Sequence, residues 1–336
     1  MTPTGSVSSA YAQSYYYTCV ARGAPGDALR NALGAGSNPF DNPARRFPND
    51  KLLDMLRLAE TATGDTSIGL EAGRNFRPST FLDMGLALIS AASLREVLKI
   101  NERYQPLTQE LGKTHLSVKP DQAQISWRPY LQDPERMRPA TEAAFAGYAV
   151  FGRWLTWLYD QEIAGMHFRH ARPPHADAVE ELFACPITYE ARLDVMILDP
   201  SLVDMPLPQA NADLHAVLCA RLDKALAEMN APMTAQTETF HCVQSMLSKG
   251  APSLTRVAAA LGMSERTLRR RLAQEGASFR GVLEKARRDA CEVYIRERKK
   301  SIAEIAQALG YSEQSAFTRA FKTWYGKPPS VYIRAS

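Results

Sequence analysis

The sequence predicts two domains: an α+β domain, followed by an all-α domain that carries two helix-turn-helix units joined by a long helix. Three observations predict it. Strand-like and helix-like runs mix over the first two thirds of the chain, helical spacing alone governs the last hundred residues, and a segment near residue 257 recurs 48 residues later. A chain of 336 residues is also too long for one ordinary domain and comfortable for two, each burying its own core.

The repeat carries the most information. Val257, Ala258, Leu261, Gly262, Ser264 and Glu265 recur as Ile305, Ala306, Leu309, Gly310, Ser312 and Glu313. Each copy reads as a helix with apolar residues at i, i+1 and i+4, a turn, and a second helix. Gly262 and Gly310 stand where the first helix stops, because a helix C-terminus commonly takes a left-handed residue, and glycine adopts that conformation without a Cβ penalty. Ser264 and Ser312 follow as candidate N-caps, and Ser301-Ile302-Ala303-Glu304 forms a capping box at the start of the second unit. The expected bounds are 253–274 for the first unit, 278–300 for the connecting helix and 301–325 for the second unit.

The second helix of each unit is the one expected in a DNA major groove. In the first, Leu268 and Leu272 form the inner pair, and Arg266, Thr267, Arg269 and Arg270 are candidate DNA contacts. In the second, Phe317 and Phe321 are the inner pair, and the candidates are Gln314, Ser315, Thr318, Arg319 and Lys322. Arg matches guanine and Gln matches adenine, while Arg319 and Lys322 suit phosphates. Between the units, Phe279, Val282, Leu283, Ala286, Ala290, Val293 and Tyr294 mark one apolar stripe. Some 22 helical residues span roughly 33 Å, close to the ~34 to 36 Å between successive major-groove faces.

Charge follows the same division. Of 40 Lys and Arg and 36 Asp and Glu, residues 245–336 hold 18 and 8, a net of +10. The remaining 22 and 28 leave residues 1–244 at −6. A basic end meets phosphate, and an acidic body avoids it.

From about Thr239 to Arg334 these residues resemble the DNA-binding domain of the AraC/XylS transcription regulators. Leu268-Arg269-Arg270, Arg287, Ile302 to Gly310, Phe317-Thr318-Arg319-Ala320-Phe321 and Gly326-Lys327-Pro328-Pro329 carry the resemblance. It implies that Arg266, Arg269, Arg270, Gln314, Ser315, Thr318 and Arg319 touch DNA. It also implies activation through RNA polymerase. Two departures are visible: Cys291 where the family prefers Ala, and Ile333 after Tyr332 where Arg is usual.

The first two thirds suggest helices at Lys51 to Thr63, Met84 to Ile100 and Thr141 to Ile163. Strand-like runs lie at His115 to Lys119, Gln124 to Trp127, Met166 to His170 and Arg192 to Leu198. Ala62 to Leu70, Met84 to Ala87, Arg103-Tyr104, His167 to His170 and Pro186 to Ala191 are similar to the arabinose-binding-type N-terminal domain of one branch of that family. The resemblance implies a domain that senses a small-molecule effector and self-associates. Trp127, Tyr148, Phe151, Trp154, Trp157 and Tyr159 are either cavity lining or ordinary core. The stripe Leu214, Leu218 and Leu222 on a helix over 213–229 either caps this domain's core or pairs with a second subunit, and a homodimer is expected.

The expected division is a sensing domain over 1–229, its first fourteen or so residues disordered, a linker over 230–237 and a DNA-binding domain over 238–336. An effector-independent regulator or repressor whose first domain only dimerises is the competing reading. No catalytic residue is expected, since the chain has no G-x-S-x-G, G-x-x-x-x-G-K-[ST] or H-E-x-x-H. His167, His170 and His175 do not read as a metal site, because strand residues three apart face opposite sides. The five scattered cysteines argue against zinc and disulfides, and no cofactor is expected. The longest mostly apolar run, Met84 to Leu94, is too short for a bilayer, and the start lacks an export signal, so a cytoplasmic, nucleoid-associated protein is expected.

Overall fold

A computed structural model of the chain describes residues 5–34, 39–40, 42, 45–157, 163–231, 234–247, 252–297 and 300–335. It divides into two compact units, residues 1–230 and 231–336. The first is α+β and the second is helical.

The first unit opens with β1 (Ser6–Ser8), α1 (Ser9–Ala21) and α2 (Gly26–Ala32), and β1 pairs antiparallel with β2 (Arg46–Pro48). The expected disordered start is therefore corrected from Gly5 onward. Tyr11 and Tyr15 of α1 are buried, with their rings 5.4 and 5.7 Å from that of Phe76. The polar residues around them obscured an i, i+4, i+8 row of Tyr11, Tyr15 and Cys19.

Next come α3 (Asn49–Thr63), α4 (Ile68–Arg74), α5 (Asp83–Ser90) and α6 (Leu94–Thr108). The single helix expected over 84–100 is two. The chain is extended at Ala91, and Ser93 caps α6 by accepting from the Glu96 amide at 3.3 Å. Glu96 reaches back to accept from the Ala92 amide at 2.6 Å, so the break follows from an S-x-x-E pattern.

The sheet and its helices follow as β3 (Gly112–Val118), β4 (Ala123–Pro129), α7 (Pro134–Thr156), β5 (Gly165–His167), α8 (Ala176–Phe183), β6 (Ile187–Thr188), β7 (Asp194–Leu198) and α9 (Ala212–Asn230). Strand order is β3-β4-β7-β5-β6, antiparallel except for β5 with β6. α7 starts seven residues earlier than expected, because Asp133 caps it and Pro134 occupies the first turn, where no N–H is needed. It lies close against α4: a methyl added at Gly69 or Gly73 would overlap the backbone of Pro139 or Ala143.

α9 corrects the dimerisation reading. Leu218 and Leu222 are buried in the first unit's own core with Met84, Ala87, Val97 and Tyr104, leaving only Leu214 of the three exposed. The Tyr104 hydroxyl and Arg103 both bond Asp223, which fixes α9 on α6. An amphipathic stripe has one signature whether its partner is another chain or its own domain.

The second unit consists of α10 (Ala235–Leu247), α11 (Leu254–Ala260), α12 (Glu265–Gln274), α13 (Phe279–Glu297), α14 (Ile302–Ala308), α15 (Gln314–Tyr325) and α16 (Pro329–Ala335). α10 occupies part of the segment read as linker; its buried Ala235, Thr239, Val243 and Leu247 repeat at helical spacing. Among the described residues no helix is long and apolar enough to cross a membrane.

Candidate nucleic-acid interface

The repeat folds into two similar units, α11–α12 and α14–α15. Gly262 and Gly310 take the left-handed conformation, with φ of 68° and 72°. Ser264 caps α12 by accepting from the Thr267 amide at 3.1 Å, and the Thr267 hydroxyl lies 2.9 Å from the same oxygen. Ser312 does not cap α15. That helix begins at Gln314 after Glu313, which makes no side-chain cap bond. The first helices are thus 48 residues apart and the second helices 49, so Leu268 and Leu272 correspond to Phe317 and Phe321. The second turn is one residue longer.

Each unit has its own core. Leu268, Leu272, Val257 and Val243 pack in the first with Val282 and Ala286 of α13. Phe317, Phe321, Ile305 and Leu309 pack in the second with Cys291, and Ala290 of α13 borders both. Burial pushes the Cys291 thiol up to about 12, so it behaves as a small apolar side chain. Ile333 lies outside the described side chains.

Polar contacts lock these elements. Arg287 of α13 donates from Nε to the Leu309 carbonyl and from Nη2 to the Gly310 carbonyl, both at 2.9 Å, with its guanidinium 4.1 Å from the Tyr311 ring centre. It thereby satisfies carbonyls that the end of α14 leaves open. Glu275 accepts from the Ala235 and Gln236 amides at 2.7 and 2.8 Å, tying the end of α12 to the start of α10. Those amide bonds hold its carboxyl below the usual range. Ser301 and Glu304 form the expected capping box, and the Ser301 bonds lower the Glu304 pKa.

With the inner pairs buried, the outer faces are polar. Arg266, Arg269 and Arg270 of α12 are exposed, as are Gln314, Ser315, Arg319 and Lys322 of α15. Thr318 is half-buried and donates to the Gln314 carbonyl at 2.9 Å. Arg271, in contrast, turns to Glu238 of α10 at 3.3 Å.

The first unit carries a second candidate site, a largely apolar cavity of about 130 Å³ between α6, α7 and the sheet. Tyr148 and Phe151 line it, whereas Trp127 is buried beside Gly112 and Trp154 and Trp157 are exposed. Tyr159 lies outside the described residues. Sequence reading missed a buried ion network in the same domain. The Glu142 carboxylate, fully buried, takes Arg138 at 3.5 Å and His175 at 3.0 Å, with His170 at 3.6 Å. Arg138 also pairs with Glu60 at 2.7 Å, and burial raises the Glu60 pKa.

Two repeated units with exposed second helices define a helix-turn-helix DNA-binding transcription regulator. Residues 23–207 match the arabinose-binding domain of AraC transcription regulators, and residues 257–335 match a helix-turn-helix domain. The chain belongs to the AraC family of transcription regulators. It is 29% identical over 311 residues to an HTH-type transcriptional regulator of Mycobacterium tuberculosis, covering 85% of this chain and 83% of that one. It is 24% identical over 334 residues to the ornithine utilization regulator of Pseudomonas aeruginosa, covering 97% and 96%. The transcriptional activator NphR of Rhodococcus matches at 30% over 150 residues, 42% of this chain and 44% of NphR.

The clamp by Arg287 yields a test. Arg287→Met keeps the apolar stem and removes two charge-assisted bonds, at a cost of about 1.5–3 kcal/mol. Hydrogen exchange should then quicken in α14 and α15 while α11 and α12 keep their protection. Unchanged protection of α14 and α15 in the variant would show that the clamp contributes nothing.

Proposed function

We propose that the chain is an effector-responsive activator that sets α12 and α15 into two successive major grooves of duplex DNA. The observation that carries this reading is the pair of polar outer faces at equivalent positions of a repeated unit, both anchored to α13. On α12, Arg266, Arg269 and Arg270 are assigned to base edges, where a guanidinium pairs bidentately with guanine, and Thr267 to the cap beside them. On α15, Gln314 suits adenine, Ser315 and Thr318 make weaker contacts, and Arg319 and Lys322 hold phosphates. The 19 residues of α13 rise roughly 28 Å, and the turns at its ends add to the reach.

Residues 1–230 take the sensing and pairing roles, and residues 231–336 read DNA. The apolar cavity supports an effector site, since ligand pockets are concave, mostly apolar and carry few polar groups. Activation is supported by the likeness to NphR, itself named an activator, and RNA polymerase as the partner, in the cytoplasm, is part of the same proposal. Pairing with a second copy is assigned to the exposed Leu214 and Val217 of α9 with Leu82 and Leu86 at the start of α5, the helix that packs on α9. Asp83 and Arg221 pair across these two helices at 2.8 Å and supply both charges at its edge. A two-fold interface needs such a self-complementary patch.

Selection from a randomised DNA library tests the assignment of readers. Arg266→Ala or Arg269→Ala should relax preference in one half-site at about 1–3 kcal/mol for the base read, and Lys322→Ala should weaken all sequences alike and lower the salt slope by about one. Wild-type motifs from both arginine variants, with a shifted motif from Lys322→Ala, would reverse the roles. For pairing, sedimentation of a Leu214→Glu/Val217→Glu double variant should give folded monomers from a dimeric parent. Dimers from that variant, or a monomeric parent, would remove this face from the account.

A further inference from the structure

The cavity of the first unit is largely apolar, and Arg153 of α7 is the one charged side chain in its wall among the described residues. This arginine has an unusual set of partners. Its Nη1 donates to the Leu182 carbonyl at 3.1 Å, and its Nε is buried without a hydrogen-bond partner. Among the described residues no carboxylate pairs with it, although Arg22, Arg46, Arg74, Arg136 and Arg138 of the same unit each have one. Arg153 is half-buried, and a buried donor left unused beside apolar walls is costly unless an acceptor arrives. The Leu182 carbonyl and the C-terminal end of α7 hold the cation in place by their dipoles, and neither is an anion.

The remaining wall bears on size and shape. Two of the other polar side chains in the wall, Asn101 and Tyr148, are already partnered by the buried Thr114 hydroxyl, which lies 2.5 Å from the Tyr148 hydroxyl and accepts from Asn101 at 2.9 Å. The cavity of about 130 Å³ is close to the ~150 Å³ apolar cavity that holds a benzene ring. Gly152 also lines it, and a methyl placed there meets no atom of the described residues within 4 Å, so a glycine leaves that position of the wall open.

We infer that this cavity takes a small organic monocarboxylate, its compact apolar body of about one ring or six carbons among the aromatic walls and its carboxylate on Arg153. The assignment rests on the sensing role proposed for the first unit, and names the chemical class of its effector. Arg153 fixes the anion, and the apolar wall excludes a second charge.

Calorimetric titration of the full chain with hexanoate and cyclohexanecarboxylate, against hexan-1-ol and cyclohexylmethanol, tests it. At least one acid should bind about tenfold or more tightly than its alcohol, the worth of a charge-assisted bond. Arg153→Met should erase that preference by weakening the acids far more than the alcohols, and Arg153→Lys should restore part of it. Gly152→Leu, which extends a side chain into the free space, should abolish binding of acid and alcohol, and it gives a second variant should Arg153→Met not fold. Acid and alcohol binding equally, or a preference that survives Arg153→Met, would overturn the anion assignment and leave the sensing cavity standing. Binding of none of the four probes, or binding untouched by Gly152→Leu, would overturn the assignment together with the cavity reading.

Discussion

One helix belongs to two hydrophobic cores, and the DNA-reading geometry depends on it. α13 gives Val282 and Ala286 to the first helix-turn-helix core and Cys291 to the second, with Ala290 between them. Packing alone would still let the second unit roll about the helix axis, since a hydrophobic contact has little directional preference. Arg287 removes that freedom, because its planar donors meet two successive carbonyls of the α14 turn while its face covers Tyr311. In the first helix-turn-helix, the Glu275 bonds tie the end of α12 to the start of α10.

The first unit solves a different problem, that of leaving space inside a packed core. Gly69 and Gly73 bring α4 and α7 into backbone contact, while Gly152, further along α7, lines the cavity. One helix is thus tight at one end and hollow at the other. The buried charges are kept apart from that hollow: Glu142 has Arg138, His170 and His175 around it, whereas Arg153 has no carboxylate among the described residues. Charge is used similarly on the scale of the chain, with the net −6 of residues 1–244 leaving phosphate attraction to the basic end.

The second unit was legible because its signals are local. Glycines with positive φ, serine caps and paired apolar residues at i, i+4 each act within one turn of chain, and they recur at a fixed period. The one-residue shift before α15 was also present in the spacing of Leu268 and Phe317, but a search at a single period hides it. The first unit was less legible because its decisive contacts are remote in sequence. Nothing near Leu218 and Leu222 tells that their partners are Met84, Ala87 and Tyr104 rather than a second subunit. Glu142 reads as one more polar residue on a helix until His170 and His175 arrive from beyond β5. α1 was lost for a simpler reason, since serine and glutamine between its tyrosines dilute the helical period.

The central claim is that α13 holds the two reading helices at a fixed separation that suits adjacent major grooves. The most direct test measures affinity of the full chain for its selected operator with five or ten base pairs inserted between the halves read by α12 and α15. Five base pairs turn the second half to the opposite face of the duplex, and ten restore the face at twice the distance. The account predicts that both insertions lower affinity by at least about tenfold, as the base contacts of one half are lost. Unchanged affinity after the ten-base-pair insertion would mean that the units move independently, and would contradict it.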